Sequence, residues 1–145
     1  MSEGMMENET YKLKFEVRDY ECDLSGIVNN AVYQHYLEHA RHRYLKTRGL
    51  DFAALEKQGI TLVVIRIEMD FLHPLRSGDK FHMAVRPDRV SRLRFGFQQD
   101  IYRLPDDKPV LAAKVVITAL NERWQPRMPL EVEQLLASGT GGNEE

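Results

Sequence analysis

Asp23-Leu24-Ser25-Gly26-Ile27-Val28-Asn29-Asn30-Ala31-Val32-Tyr33 sets one carboxylate on a glycine-hinged loop directly ahead of a helical pattern. Tyr33, Tyr36, Leu37, Ala40 and Tyr44 recur at three- and four-residue steps, which predicts a helix over residues 30 to about 48. Asn29 or Asn30 can cap its start, and Gly49 stands where a left-handed residue ends a helix. A helix start offers backbone N–H groups without intrahelical partners and the positive end of the macrodipole. An aspartate beside such a start can supply a base or nucleophile while the N–H groups hold a developing oxyanion. These are the parts needed for acyl transfer to water.

Upstream, Tyr11, Leu13, Phe15 and Val17 alternate with Lys12, Lys14, Glu16 and Arg18, the pattern of a half-buried strand. Downstream, residues 51–58 predict a shorter helix closed by Gly59, and everything after Ile60 reads as strand. Val63, Ile65, Ile67, Met69 and Phe71 form one face of a long strand with Arg66, Glu68 and Asp70 opposite. Its first half, 61–67, is apolar on both faces, so a central place in the sheet is expected. Pro74 and Ser77-Gly78-Asp79 break it. Phe81, Met83 and Val85 begin the next strand, 92–104 the one after, Pro105-Asp106-Asp107 a turn and 110–120 the last strand, with a short terminal helix over 129–137. The order predicts an α+β fold, its helices on one side of a curved, mainly antiparallel five-stranded sheet joined by tight turns. Apolar edge strands invite pairing with a second copy, so a homodimer or homotetramer with sites at its interface is expected.

The chain of 145 residues, 43% hydrophobic, fits one domain over 11–137, with flexible tails at 1–10 and 138–145. A net charge of −2 gives no general pull toward nucleic acid or anionic membrane. No apolar run approaches a membrane span, and the acidic, polar N-terminal residues lack a secretory pattern. Cys22 is the sole cysteine, so no disulfide framework forms and the cytoplasm is the expected compartment.

The Asp23-x-x-Gly26-Ile27-Val28-Asn29-Asn30-Ala31-x-Tyr33 stretch, followed by Asp70-Phe71-Leu72-His73-Pro74-Leu75-Arg76-Ser77-Gly78-Asp79, resembles the hotdog-fold thioesterases of the 4-hydroxybenzoyl-CoA thioesterase type. The run Val17-Arg18-Asp19-Tyr20-Glu21 with Val28-Asn29-Asn30-Ala31-Val32-Tyr33 also looks like the plastid acyl-ACP thioesterases. The resemblance spans about 11–121. It implies a long central helix wrapped by the sheet, and hydrolysis of an acyl-CoA or acyl-carrier-protein thioester without metal or organic cofactor. It implies Asp23 as nucleophile or general base, the Asn30 backbone N–H as oxyanion donor and Tyr33 near the substrate. Many members carry His or Tyr where this chain has Asn30, a change that leaves the backbone donor intact.

Other features compete for a role. His35, Glu38 and His39 read H-x-x-E-H, and with His42 they fall on one helical arc; zinc hydrolysis would also need a further ligand and a cleft, and an ordinary polar face explains them. Glu38 and Arg41 read as a surface charge pair or as groups orienting Asp23 across a dimer. Cys22 reads as a packing residue. Arg86, Arg89, Arg92 and Arg94 surround a strand turn, with Lys80 and Arg76 taken as near; Arg92 and Arg94 are candidates to clamp the phosphates of CoA or a carrier. Val63 and Ile65 join Tyr33 as candidates for an apolar acyl pocket. The competing functions are an acyl-thioester binding module without turnover, a zinc hydrolase, and a hotdog dehydratase, which would want a His beside Asp23.

Overall fold

The structure, a computed structural model, describes residues 10–141, with side chains through Ser138. Strand β1 (Tyr11–Glu16) leads through a 3-10 turn (Asp19–Glu21) into the long helix α1 (Asn30–Thr47) and the short α2 (Phe52–Lys57). Strands β2 (Thr61–Phe71), β3 (Lys80–Ser91), β4 (Arg94–Leu104) and β5 (Lys108–Leu120) follow, then α3 (Leu130–Gly141). All pairings are antiparallel, in the order β1-β3-β4-β5-β2.

Period-2 alternation makes one face of this sheet the core. Phe81, Met83 and Val85 of β3 and Phe95, Phe97, Gln99 and Ile101 of β4 are buried, while their neighbours His82, Ala84, Gln98 and Asp100 are only partly covered. Against that face lie Tyr33, Tyr36, Leu37, Ala40 and Tyr44 of α1, the stripe read from the sequence. Phe15 stacks flat on Phe81 with ring centroids 4.8 Å apart. Asn29 is the N-cap of α1, its side chain accepting from the Ala31 N–H at 2.9 Å, and Asp51 caps α2 in the same way. Gly49 and Gly59 follow the two helices at φ +78° and +79°.

Four expectations need correction. Strand β2, expected in the middle, is an edge of the single chain's sheet, because it pairs with β5 alone. The 72–79 connection crosses the sheet rather than making a tight turn. Ile65 is the extra residue of a β-bulge, since Val64 faces Ile117 and Arg66 faces Val116. The bulge resets the alternation, so Leu62, Ile67 and Met69 pack on the core while Ile65 is 43% exposed. Among the described residues β1 pairs with β3 only as far as Val85, which leaves Pro87 without a β1 partner to disrupt. Helix α3 continues through Gly141, past the expected boundary at 137; residues 1–9 and 142–145 lie outside the described residues.

The sheet has two distinct ends. At one, β2 and β4 finish and β3 and β5 begin, with Phe71 opposite Leu111 and Lys80 opposite Leu104. At the other, Thr61 faces Leu120 and Arg94 faces Thr118.

Candidate active site

The Asp23 loop is a miniature hairpin built from main-chain atoms. Cys22 bridges Val28, the Asp23 N–H donates to the Ile27 carbonyl at 2.9 Å, and the Gly26 N–H donates to the Asp23 carbonyl at 3.0 Å. Gly26 closes the turn at φ +82°, where a Cβ would be strained. The Asp23 carboxylate is exposed, and its Oδ1 accepts the Ser25 N–H at 2.9 Å, leaving the other oxygen to solvent or substrate.

The helix start then completes the arrangement. Asn29 takes two of the first donors, Ala31 N–H by its side chain and Val32 N–H by its carbonyl. The Asn30 N–H engages no acceptor among the described residues. A free donor at a positive helix end, on the unit that carries Asp23, is what stabilisation of an oxyanion requires.

Both motifs singled out in the sequence meet here. The Val28 N–H donates to the Leu75 carbonyl and the Val17 N–H to the Asp79 carbonyl, both at 2.9 Å, and Ile27 bridges Arg76. The Ser77 hydroxyl donates to Asp19, and the Asp79 carboxylate receives the Arg76 N–H at 2.8 Å. The 72–79 crossover is thus the bed on which the Asp23 loop rests. Underneath, the Tyr36 hydroxyl donates to Glu21 Oε1 at 2.7 Å, and the same oxygen accepts the Arg18 N–H. Burial and that carboxylate push the Tyr36 pKa far up, so it stays a donor.

The remaining candidates divide. Tyr33 is buried one helical turn beyond Asn30, edge-on to Tyr36 and to Phe71, and burial raises its pKa. Val63 and Ile65 are not brought to Tyr33. Leu62 and Val64 instead face α1 across a cavity of about 100 Å³ that also touches Leu45, Ile117, Glu38, Arg41 and His42. Arg41 is no surface group: at 8% exposure its guanidinium donates to Gln99 Oε1 at 3.2 Å, and burial lowers its pKa. Gln99 in turn donates to the Leu37 carbonyl at 3.0 Å. Glu38 stays exposed, 3.8 Å from His42. His35 and His39 are exposed too, and among the described residues no three His, Cys, Asp or Glu side chains converge as a metal site.

Arg92 and Arg94 sit at the opposite end of the sheet from Asp23, and the basic cluster splits accordingly. Arg76 and Lys80 belong to the Asp23 end, while Arg89 pairs with Glu133 of α3 at the far end. A feature missed in the sequence stands beside Arg94. The residues after β5 fold back through a Leu120–Pro126 bridge, and the Asn121 side chain accepts the N–H groups of Arg123 and Gln125 at 2.9 and 3.0 Å. Trp124 projects there at φ +60°, 69% exposed. Asn121 and Pro126 signal this turn in the sequence; nothing there signals the backbone angle.

Comparison with known proteins accords with this architecture. The profile of the thioesterase-like superfamily matches residues 17–136. The chain is 38% identical over 126 residues to the acyl-acyl carrier protein thioesterase ATL3, chloroplastic, of Arabidopsis thaliana, covering 86% of this chain and 66% of that one. It is 37% identical over 123 residues to the chloroplastic ATL2 of the same plant, covering 84% and 65%. The chain therefore spans just under two thirds of these relatives' length. A solved 1,4-dihydroxy-2-naphthoyl-CoA thioesterase from Synechocystis superposes with a TM-score of 0.82 at 17% identity, over 89% of this chain and 96% of that one. A hypothetical protein from Aquifex aeolicus gives 0.80 at 25% identity, over 87% and 98%. The fold is the hotdog.

Proposed function

The chain belongs to the thioesterase-like superfamily, and on that premise we propose that it hydrolyses an acyl-CoA or acyl-carrier-protein thioester to free acid and thiol. The observation that carries this reading is the Asp23 carboxylate on the same small unit as the unengaged Asn30 N–H. The thioester carbonyl oxygen points at the Asn30 N–H, and its carbon faces Asp23. Asp23 either attacks, giving a mixed anhydride that water then opens, or takes a proton from an attacking water. In both routes the C–S bond breaks and the departing thiolate takes up a proton. General-base action contributes typically ~10²–10⁴-fold.

The acyl chain lies against α1, with Tyr33 near the carbonyl and Leu62 and Val64, rather than Val63 and Ile65, toward the helix. Arg41, fixed by Gln99, holds α1 to the sheet behind that space, and Glu38 guards its mouth. Arg92 and Arg94 bind phosphate. The unpaired edge of β2 supports at least a homodimer, because Val64, Ile65, Phe71 and Leu72 leave apolar surface along it. Two-fold antiparallel pairing of β2 with its copy sets the Thr61 end of one chain beside the Phe71 end of the other. Arg92 and Arg94 then serve the second copy's Asp23. Among the described residues no helix is long and apolar enough to cross a membrane, and a lone half-buried Cys22 fits a reducing compartment such as the cytoplasm.

Free-thiol release from a panel of acyl-CoA and acyl-carrier thioesters tests the reading. Asp23→Asn keeps an acceptor for the Ser25 N–H, so its Tm is expected to match wild type while kcat falls a hundredfold or more. Saturable binding of thioesters without turnover would instead mark a binding module whose Asp23 only shapes its turn.

A further inference from the structure

The Asn121–Arg127 segment presents the sole tryptophan of the chain in a way that packing does not explain. A bulky residue at φ > 0 is a true outlier, and such strain persists where the surroundings enforce it. The enforcement is visible. Beyond the two bonds to the Asn121 side chain, the Asn121 N–H meets the Gln125 carbonyl and the Trp124 N–H meets the Asn121 carbonyl, each at 2.9 Å. The Arg127 N–H reaches back to Ala119 at 2.8 Å. Glu122 lies so close over Gly59 that a Cβ at Gly59 would stand 2.6 Å from its Cγ. A rigid turn therefore holds an indole out in solvent, without ring contacts to any described residue. Arg123 and Arg127 flank it, exposed and without ion-pair partners among the described residues.

From this we infer that Trp124 is a stacking platform for the adenine of CoA whose thioester is held at Asp23 of a second copy, with Arg123 and Arg127 on the phosphates. The inference rests on the hydrolase and dimer readings above. An indole offers its face to any nucleobase, and guanidinium groups match phosphate oxygens. An acidic carrier surface would call on the arginines alone and leave the tryptophan without a partner. Placement selects the second copy. Trp124 follows Leu120, which faces Thr61, whereas the Asp23 loop rests on the 72–79 segment that leaves the Phe71 end. Ten steps of strand separate those ends of β2, about 33 Å at roughly 3.3 Å per residue. Two-fold pairing of β2 brings the Trp124 turn of one chain alongside the Asp23 loop of the other.

Because Trp124 is the only tryptophan, its fluorescence reports directly. CoA is expected to quench it saturably, and pantetheine, which lacks the nucleotide, to leave it unchanged. Trp124→Ala should raise KM for acyl-CoA on the order of tenfold, with kcat and KM for the matching acyl-pantetheine unaltered; Trp124→Phe should recover most of the loss. Mixed dimers of Asp23→Asn and Trp124→Ala subunits should regain the wild-type KM, since the surviving Asp23 then faces an intact Trp124. A KM that stays raised in the mixed dimers overturns the assignment to the second copy. Turnover without quenching, or a Trp124→Ala effect confined to acyl-carrier substrate, overturns the platform and leaves the hydrolase intact. Quenching without turnover on any thioester removes the hydrolase reading and keeps the platform.

Discussion

The two ends of the sheet present different groups from similarly bonded turns. At the Asp23 end, main-chain bonds lay out the site, Asp23 to Ile27, Val28 to Leu75 and Val17 to Asp79, and short side chains cap them, Asp23 on Ser25 and Asn29 on Ala31. At the far end a hydrogen-bonded turn is also present, but what it presents is side chains, and Trp124, Arg92, Arg94, Arg123 and Arg127 stand exposed around two turns. Chemistry needs atoms held to fractions of an ångström, which a hydrogen-bonded loop at a helix start provides. Recognition of a long ligand needs exposed charge and ring faces. One chain carries both, but about 33 Å apart along β2, which is why pairing of two copies matters to the proposed site.

The largest effect should come from separating the ends. Ile65→Lys places a charge on the open β2 edge, a device that blocks strand pairing. Sedimentation should show monomer, with kcat/KM for acyl-CoA down at least a hundredfold; an active monomer would break the two-copy reading. Gly26→Val attacks one end alone. A β-branched residue at φ +82° costs about 1–3 kcal/mol, and relaxation of the turn should cut kcat about tenfold while CoA binding is kept. Tyr36→Phe is milder: loss of the bond to Glu21 should lower stability by about 1.5 kcal/mol in urea titrations. The smallest effect concerns pH. Burial, then Lys12, holds the His82 pKa below its ordinary 6.5, against the pull of Asp107. Protonation is thus disfavoured in the folded chain, so stability is full above about pH 6.5 and falls as pH drops through the lowered value. Urea midpoints at pH 7.5 and 5.0 should differ in that sense, and less so in His82→Gln.

The helices and the run of strands were legible because their signals are local. Tyr33, Tyr36, Leu37, Ala40 and Tyr44 declare α1 by spacing alone, and Asn29, Asp51, Gly49 and Gly59 mark its ends and those of α2. The loop that carries Asp23 was legible for the same reason, since loop, glycine and helix start are contiguous. What failed was non-local. The two-sided apolar pattern of 61–67 reads as a central strand, and among the described residues of a single chain no strand pairs with its outer side. Arg41 reads as surface by residue type, yet Gln99, 58 residues away, gives it a buried partner. Arg76 and Lys80 looked like neighbours of Arg92 and Arg94, but they sit at the opposite end from that turn along β3 and β4.

Without Ile65, the strand Leu62-Val63-Val64-Arg66-Ile67-Glu68-Met69-Asp70-Phe71 alternates strictly, with every core-facing residue already in phase. Ile65 is therefore an insertion that the register does not need. Its removal should leave the fold intact and give β2 a flat, uninterrupted border, open to indiscriminate annealing with any extended segment. A bulge at an open edge is a recognised device against such annealing, and the Ile65 deletion is expected to aggregate more readily than the full chain.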